Sequence, residues 1–188
     1  MGLRNEAHRY GSAALWLHWA IVLLVIAALV FIELHGLYPK GSEAREAVKQ
    51  IHFQLGMLVF LLMLARLAWR LGNPPPAIMP APRPWEAFLS RLVHVFFYAA
   101  LLALPLLGLA SLQASGKPPA FLGLPLPALM TEDKALGKSL KGAHELIGNI
   151  VIWLIVLHVV AGFWHHIVRR DDTLLRMLPA WLARRLGR

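Results

Sequence analysis

The chain has 188 residues, of which 58% are hydrophobic and 15% are charged, and its mean hydropathy is +0.58. A soluble domain is about half apolar and a quarter charged, so this composition excludes an ordinary soluble enzyme or binding module. The absence of cysteine excludes disulfides, thiolate catalysis and iron–sulfur ligation. The net charge of +9 comes from basic residues placed beside apolar runs, and we therefore expect no nucleic-acid partner.

Four apolar stretches each have about the 20 residues that a helix needs to cross the hydrocarbon core of a bilayer. A lone segment in lipid must satisfy its own backbone hydrogen bonds, so each stretch is predicted to be helical. In chain order the predicted spans are 13–31, 51–71, 88–112 and 143–168. The sequence thus predicts an all-α integral membrane protein, a four-helix bundle that forms a single domain over residues 1–188 and contacts membrane lipid.

The distribution of lysine and arginine predicts the orientation of the spans. If the N-terminus is cytoplasmic, 12 of the 19 Lys and Arg residues lie inside or at the inner edge of the membrane, and seven lie outside. This bias follows the positive-inside rule. It favours a topology in which both termini are cytoplasmic.

Four of the nine histidines are paired by this topology. In the fourth span His144 lies near the outer end, and His158 follows 14 residues later, about 21 Å deeper and within about 40° of the same helix face. The second span begins outside with His52 in its first turn, and the first span begins inside with His18 in its first turns. We therefore expect His52 to face His144 at the outer level and His18 to face His158 toward the inner level.

Two imidazoles at each level suit haem better than a bare metal ion. Zinc would need about four ligands, whereas the iron of a porphyrin needs only two axial ligands. Three of the four histidines also have a glycine at i+4 on their own helix face, namely His52 with Gly56, His144 with Gly148 and His158 with Gly162. A macrocycle that lies edge-on between helices needs such positions, although small residues also favour close helix packing in lipid. His18 lacks such a glycine.

Three further polar residues have open interpretations. Arg66 is expected at the inner level, where it could pair with a haem propionate, contact a quinone headgroup, or extend to the membrane interface. Lys141, one turn before His144, could pair with an outer propionate or stay solvated without a partner. His94, just inside the third span, could flank a quinone site, relay a proton or hydrogen-bond a helix backbone.

Four motifs carry a resemblance to a known family. They are "WLHWAIVLLVIA" around His18, "IHFQLGMLVFLLMLARLAWRL" from His52 through Arg66, "HELIGNIVIWLIVLHVVAGFWHH" with His144 and His158, and "DDTLLRMLP" near the end. Over essentially its whole length the chain resembles the bacterial cytochrome b561 family, small four-helix di-haem cytochromes of the inner membrane. The resemblance implies two haem b groups with bis-histidine ligation, His18/His158 at the inner level and His52/His144 at the outer level.

The resemblance also implies a multi-pass protein of the bacterial inner membrane that exchanges electrons with the quinone pool. Members of the family are proposed to take electrons from superoxide at the outer face and to pass them to ubiquinone. We expect an oxidoreductase of this kind, with no catalytic side chain of its own, because bis-histidine ligation leaves no open iron position. The expected partners are lipid, quinone and superoxide, and the identity of any protein partner stays open.

Two alternative functions stay open. The chain could be a membrane-anchor cytochrome subunit that relays electrons between a soluble dehydrogenase or hydrogenase and quinone. It could also be a divalent-metal transporter that uses histidines as transient ligands, although the scarcity of carboxylates within the spans argues against this.

Overall fold

The computed structural model describes residues 2–117 and 119–186 and is mostly helical. The four long helices are α1 (Ser12–Leu34), α2 (Glu43–Gly72), α3 (Pro84–Ala114) and α4 (Lys134–Trp164). The smaller elements are two strands, β1 (Ala120–Phe121) and β2 (Leu124–Pro125), and a short helix α5 (Ala180–Leu186). A 3₁₀ turn extends α1 (His35–Leu37), a π-helical turn extends α4 (His165–Arg169), and a second 3₁₀ turn precedes α5 (Leu175–Met177).

Each of the four long helices has the length and apolar composition needed to cross a membrane, as the sequence predicts. They contain 23, 30, 31 and 31 residues, or about 34 to 47 Å at 1.5 Å per residue. Every predicted span lies within one of them or its helical extension, and α2 and α4 begin well before the apolar runs, at Glu43 and Lys134. The all-α prediction is confirmed for these elements, with a small hairpin added, whereas the orientation of the termini stays a prediction.

The surface of the helices is strongly apolar. Large hydrophobic side chains are exposed along all four long helices, including Trp16 (76% exposed) and Trp153 (73% exposed). Exposing such side chains to water costs roughly 25 cal/mol for each Å² of apolar surface. These faces therefore require lipid as their surroundings.

The chain divides into two compact units, and each of the four long helices contributes to both. Unit 1 comprises Met1–Trp19, Ala65–Phe97 and Val151–Arg188, and unit 2 comprises Ala20–Leu64 and Tyr98–Ile150. The expectation of a single domain over residues 1–188 stays a prediction.

Unit 2 has an apolar core built from three helices. Ile21 of α1 and Val59 and Met63 of α2 are buried in one cluster, against which Leu101 and Leu102 of α3 pack. These contacts hold α1, α2 and α3 together within unit 2.

The hairpin of unit 2 is attached to α2 by one side chain. Its strands pair in antiparallel register, and Leu122 and Gly123 connect them with φ angles of 49° and 80°. Two positive φ angles match the turn that the twist of a tight hairpin favours. The Gln54 side chain donates to the Ala120 carbonyl oxygen at 2.7 Å and accepts from the Leu122 amide at 2.9 Å. Gln54 therefore fixes the hairpin to the helix that carries His52.

Unit 1 is closed by polar contacts near the chain ends. Asn5 donates to the carbonyl oxygens of Asn73 and Pro74 at 3.1 and 3.0 Å, which ties the N-terminal segment to the loop after α2. Beyond α4, Arg169 pairs with Glu86 at 3.2 Å. The first contacts join the N-terminal segment to the loop after α2, and the ion pair joins the start of α3 to the end of α4.

Candidate functional sites

His52 of α2 and His144 of α4 lie together in unit 2 and form the two-histidine site. Their ring centroids are 6.1 Å apart, and the ring planes are inclined at 78°. Both residues are half-buried. The structure thus brings together the two residues that the topology pairs at the outer level.

Each ring of the two-histidine site is oriented by the backbone of a neighbouring helix. The Nδ1 of His52 lies 2.8 Å from the Ala28 carbonyl oxygen of α1, and the Nδ1 of His144 lies 2.9 Å from the Leu104 carbonyl oxygen of α3. A carbonyl oxygen can only accept, so each Nδ1 carries the hydrogen and each Nε2 keeps its lone pair. Such outer bonds are typical of histidines that ligate a metal through the other nitrogen.

A glycine on α3 allows His144 to approach that helix. A Cβ atom at Gly108 would lie 3.4 Å from Cε1 and 3.5 Å from Nδ1 of the His144 ring. A larger side chain at this position would push the ring away from the Leu104 carbonyl. The sequence analysis missed Gly108 because it considered only the glycines on the histidines' own helices, and the rotation of α3 is needed to find it.

The three glycines that follow histidines at i+4 border open space. A Cβ atom at Gly56, Gly148 or Gly162 would meet no heavy atom within 4 Å beyond its own helix turn. If these glycines served close helix packing, a neighbouring helix would lie against them. The structure therefore supports the interpretation that they leave room for a flat group beside the histidines.

The donor set of the two-histidine site fits a haem iron. A metal–imidazole bond of about 2.0 Å puts the ring centroids of two opposite ligands about 6 Å apart, close to the observed separation. Among residues 2–117 and 119–186, no group of three or more His, Asp or Glu side chains could hold a metal ion. A bare ion such as zinc needs about four such ligands, so the described residues do not suit one.

Unit 1 holds a second group, the three-histidine site, formed by His18 of α1, His94 of α3 and His158 of α4. The ring centroids of His94 and His158 are 5.5 Å apart, with planes at 83°, and the Phe97 ring lies 5.5 Å from His158. His18 lies within electrostatic range of both other histidines and of Arg66 on α2. His158 therefore lies against His94, and its expected partner His18 is related to it by an electrostatic interaction, with no ring contact between the two among the described residues.

The hydrogen bonds of the three-histidine site differ from those of the two-histidine site. His94 donates from Nδ1 to the carbonyl oxygen of Ser90 on its own helix at 2.6 Å, which is one of the roles considered for it. In the described part of the chain, no hydrogen bond is found for the ring nitrogens of His18 or His158. The rings of this expected ligand pair therefore lack the backbone anchors that hold His52 and His144.

Two donors on α2 suit an anionic group near the three-histidine site. Arg66 interacts electrostatically with His18, His94 and His158. Trp69 lies one turn later, and its buried Nε1 has no hydrogen-bond partner among the described residues. A buried N–H without a partner is costly, and a haem propionate or another carboxylate would satisfy it. The sequence analysis missed Trp69, although its i+3 spacing from Arg66 places the two side chains on one helix face.

Lys141 forms an ion pair on the surface of α4. Its Nζ lies 2.8 Å from the Glu145 carboxylate at i+4, and both side chains are mostly exposed. The structure therefore gives Lys141 a partner within its own helix instead of leaving it unpaired.

Comparisons with known proteins identify the family to which the chain belongs. A family model described as prokaryotic cytochrome b561 matches residues 9–180. Cytochrome b561 homolog 1 of Escherichia coli (strain K12) is 36% identical over 172 residues, which cover 92% of this chain and 98% of that protein. The probable superoxide oxidase CybB of Yersinia pestis is 36% identical over 171 residues, which cover 91% of this chain and 96% of that protein. Cytochrome b561 homolog 2 of Escherichia coli (strain K12) is 28% identical over 186 residues, covering 95% of each chain.

These matches extend over nearly the full length of the relatives, and the family model spans residues 9–180, a range that contains the histidines of both sites. Together with the four apolar helices, they support a multi-pass membrane protein that binds b-type haem and transfers electrons. The chain belongs to the prokaryotic cytochrome b561 family.

Proposed function

We propose that this protein carries electrons across the membrane through two haem b groups, one at each histidine site. His52 and His144 hold the first, and His18 and His158 hold the second. The observation that carries the proposal is the two-histidine site, where two imidazoles face each other at a ring separation of 6.1 Å. Each of these rings is turned by a carbonyl hydrogen bond so that Nε2 is available to a metal.

The residues of the chain bind and orient in this proposal, and none acts as an acid or base. A haem held by two histidines would supply one-electron chemistry, and donors and acceptors would exchange electrons with it at its edge. The Ala28 and Leu104 carbonyls hold the two rings in a fixed orientation.

For orientation, we propose that both termini are cytoplasmic and that the two-histidine site lies toward the outer face of the inner membrane. The excess of Lys and Arg near the termini and the loop after α2 supports this orientation. The two units then form one transmembrane electron-transfer domain, with quinone exchange at the end where the three-histidine site lies.

For substrates, we propose superoxide as donor and ubiquinone as acceptor. A relative at 36% identity is named a probable superoxide oxidase, which supports this choice. Two superoxide anions each lose one electron and become dioxygen. One ubiquinone gains these two electrons, takes up two protons and becomes ubiquinol. The protein is unchanged after each such cycle.

The proposal is tested by the dithionite-reduced minus oxidised visible spectrum of the purified protein, with haem quantified per chain. We expect low-spin b-type bands and two haems per chain. His144→Ala and His158→Ala should each retain one haem, because each removes one axial ligand. His166→Ala changes a histidine of the π-helical turn and should retain both. Absence of haem, or two haems in either ligand variant, would overturn the assignment.

The substrates are tested separately in liposomes that contain the protein and ubiquinone. Superoxide generated outside the vesicles should reduce the quinone, and the His144→Ala variant should abolish this reduction. Quinone reduction only in the presence of a co-purified dehydrogenase or hydrogenase would favour the membrane-anchor function over the superoxide reaction.

A further inference from the structure

The charges around the three-histidine site are basic. Arg66 acts on all three histidines, and Arg70 and Arg176 also act on His94. Arg66 is half-buried in α2, where its charge is screened less than that of a surface residue. A positive charge close to a haem disfavours the ferric state, which carries one more positive charge than the ferrous state.

The charges around the two-histidine site cancel. The charged groups that act on His144 are Lys141 and Glu145, of opposite sign. They form an ion pair at 2.8 Å and are mostly exposed to solvent. An exposed ion pair of this kind exerts little net field on a group beyond it. Within the described residues, no unpaired arginine or lysine is found among the groups that act on His144.

The hydrogen bonds of the histidine rings change the difference in reduction potential between the two sites in the same direction as the charges do. The Nδ1–H groups of His52 and His144 each donate to a backbone carbonyl. Such bonds make the imidazoles more basic ligands, which favours the ferric state and lowers the reduction potential. His18 and His158 have no such bond within the described residues.

We propose that Arg66 holds the reduction potential of the haem at the three-histidine site above the potential of the haem at the two-histidine site. The hydrogen bonds to the Ala28 and Leu104 carbonyls increase this difference, because they lower the potential of the haem at the two-histidine site. An electron that enters at the two-histidine site then moves spontaneously to the three-histidine site. Arg66 thereby sets the direction of electron transfer, from the proposed outer face toward the cytoplasm. This inference rests on the proposed function, since it requires a haem at each site.

The test is a spectroelectrochemical titration of the purified holoprotein. The wild type should titrate in two one-electron steps, and the haem retained in His144→Ala should have a higher potential than the haem retained in His158→Ala. Arg66→Gln should lower the potential of the three-histidine haem, changing its reduced-to-oxidised ratio at fixed potential about tenfold, which corresponds to 59 mV for one electron. The other haem should not shift. Arg66→Lys keeps the charge and should restore most of the difference.

Arg184→Gln is the matched control, because it removes the same charge from an exposed position in α5. It should leave both potentials unchanged. The inference is overturned if the three-histidine haem has the lower or an equal potential in the wild type, or if Arg66→Gln shifts neither haem. The order of the two wild-type potentials decides the question even if the Arg66 variants lose haem. A protein with fewer than two haems would instead refute the proposed function, so the two failures are distinguishable.

Discussion

The two histidine sites share a sequence pattern but differ in what surrounds it. At the two-histidine site, carbonyl oxygens of α1 and α3 hold the rings of His52 and His144, and the nearest charges form an ion pair. At the three-histidine site, His94 lies against His158 at 5.5 Å, and the nearby charge is that of Arg66. The comparison shows that two pairs of histidines in similar sequence motifs can have different surroundings, because the surroundings come from other helices.

The difference matters because the proposed histidine ligands alone would make the two sites equivalent. Two equivalent haems would conduct electrons equally well in either direction. Hydrogen bonds and charges beyond the ligands are what can make one site the donor and the other the acceptor. The following predictions test whether the two sites are as different as the structure indicates.

The largest effect is expected from replacing histidines of the three-histidine site one at a time. His18→Ala should reduce the haem content to one per chain, because His18 is the proposed partner of His158. His94→Ala should retain two haems, because the Nδ1 of His94 is bonded to Ser90 on its own helix and no ligand role is proposed for it. The measurement is the haem-to-protein ratio of the purified variants.

The opposite result would change which histidine is assigned as the ligand opposite His158. If His94→Ala loses a haem and His18→Ala keeps both, then His94 is the ligand opposite His158. The electron paramagnetic resonance signal of the oxidised protein supplies a second readout. It should shift slightly in His94→Ala if His94 only packs against the His158 ring.

A smaller effect is expected from filling the open space beside a ligand. Gly148→Leu places a side chain where a Cβ atom meets no neighbour within 4 Å, on the same face of α4 as His144. We expect it to exclude the haem of the two-histidine site and to leave the other in place. Haem content and the reduced spectrum measure this loss.

Gly142→Leu provides the control for this substitution. Gly142 lies on the same helix and also borders open space, but it is two residues before His144 and therefore points about 160° away. Two haems should remain in this variant. Equal haem loss in both variants would mean that leucine damages the helix itself and that the glycine has no specific role.

The smallest effect is expected from removing the charge of Asp171, which follows α4 in unit 1 and accepts hydrogen bonds there. Although burial acts to raise the pKa of Asp171, hydrogen bonds from His165 and Thr173 hold it below its ordinary value. A lowered carboxyl pKa stabilises the fold fully above the ordinary value of about 3.9, and this stabilisation is lost as the pH falls through the folded pKa. Asp171→Asn should therefore reduce stability at pH 7 by about 1–3 kcal/mol. The difference from wild type should shrink toward pH 3.

Thermal unfolding in detergent at both pH values gives the measurement. Asp172→Asn is the comparison variant, since the neighbouring carboxylate accepts one exposed hydrogen bond from the Met79 amide. Asp172→Asn should reduce the stability at pH 7 by less than Asp171→Asn does. An Asp171→Asn effect that is the same at both pH values would show that its hydrogen bonds do not depend on the carboxylate charge.

The spans and the outer histidine pair could be predicted from the sequence because they follow from simple spacing. Hydropathy depends on side-chain composition alone, and the second and fourth spans run in the same direction, so histidines near the start of each lie at the same depth. The pairing of His52 with His144 required no more than this. The Leu122–Gly123 turn also had a local signal, a glycine between two short apolar segments, although no hairpin was predicted there.

The contacts that make the surroundings of the two sites different could not be predicted from spacing. Every residue except proline carries the same backbone N–H and carbonyl groups, so nothing in the sequence marks Ala28 or Leu104 as an acceptor. The roles of Gly108 and His94 depend on how far α3 is rotated about its axis. The hydropathy of the span leaves that rotation open.

The amino-acid sequence by itself determined a membrane protein with four helices and two levels of histidines, because these properties depend on composition and on the fixed rise of a helix. Only the tertiary structure decided which carbonyls orient His52 and His144, that His94 joins His18 and His158, and that Arg66 acts on all three. These features arise between helices that are distant in the chain. They depend on rotation and packing, which the period of a single helix does not specify.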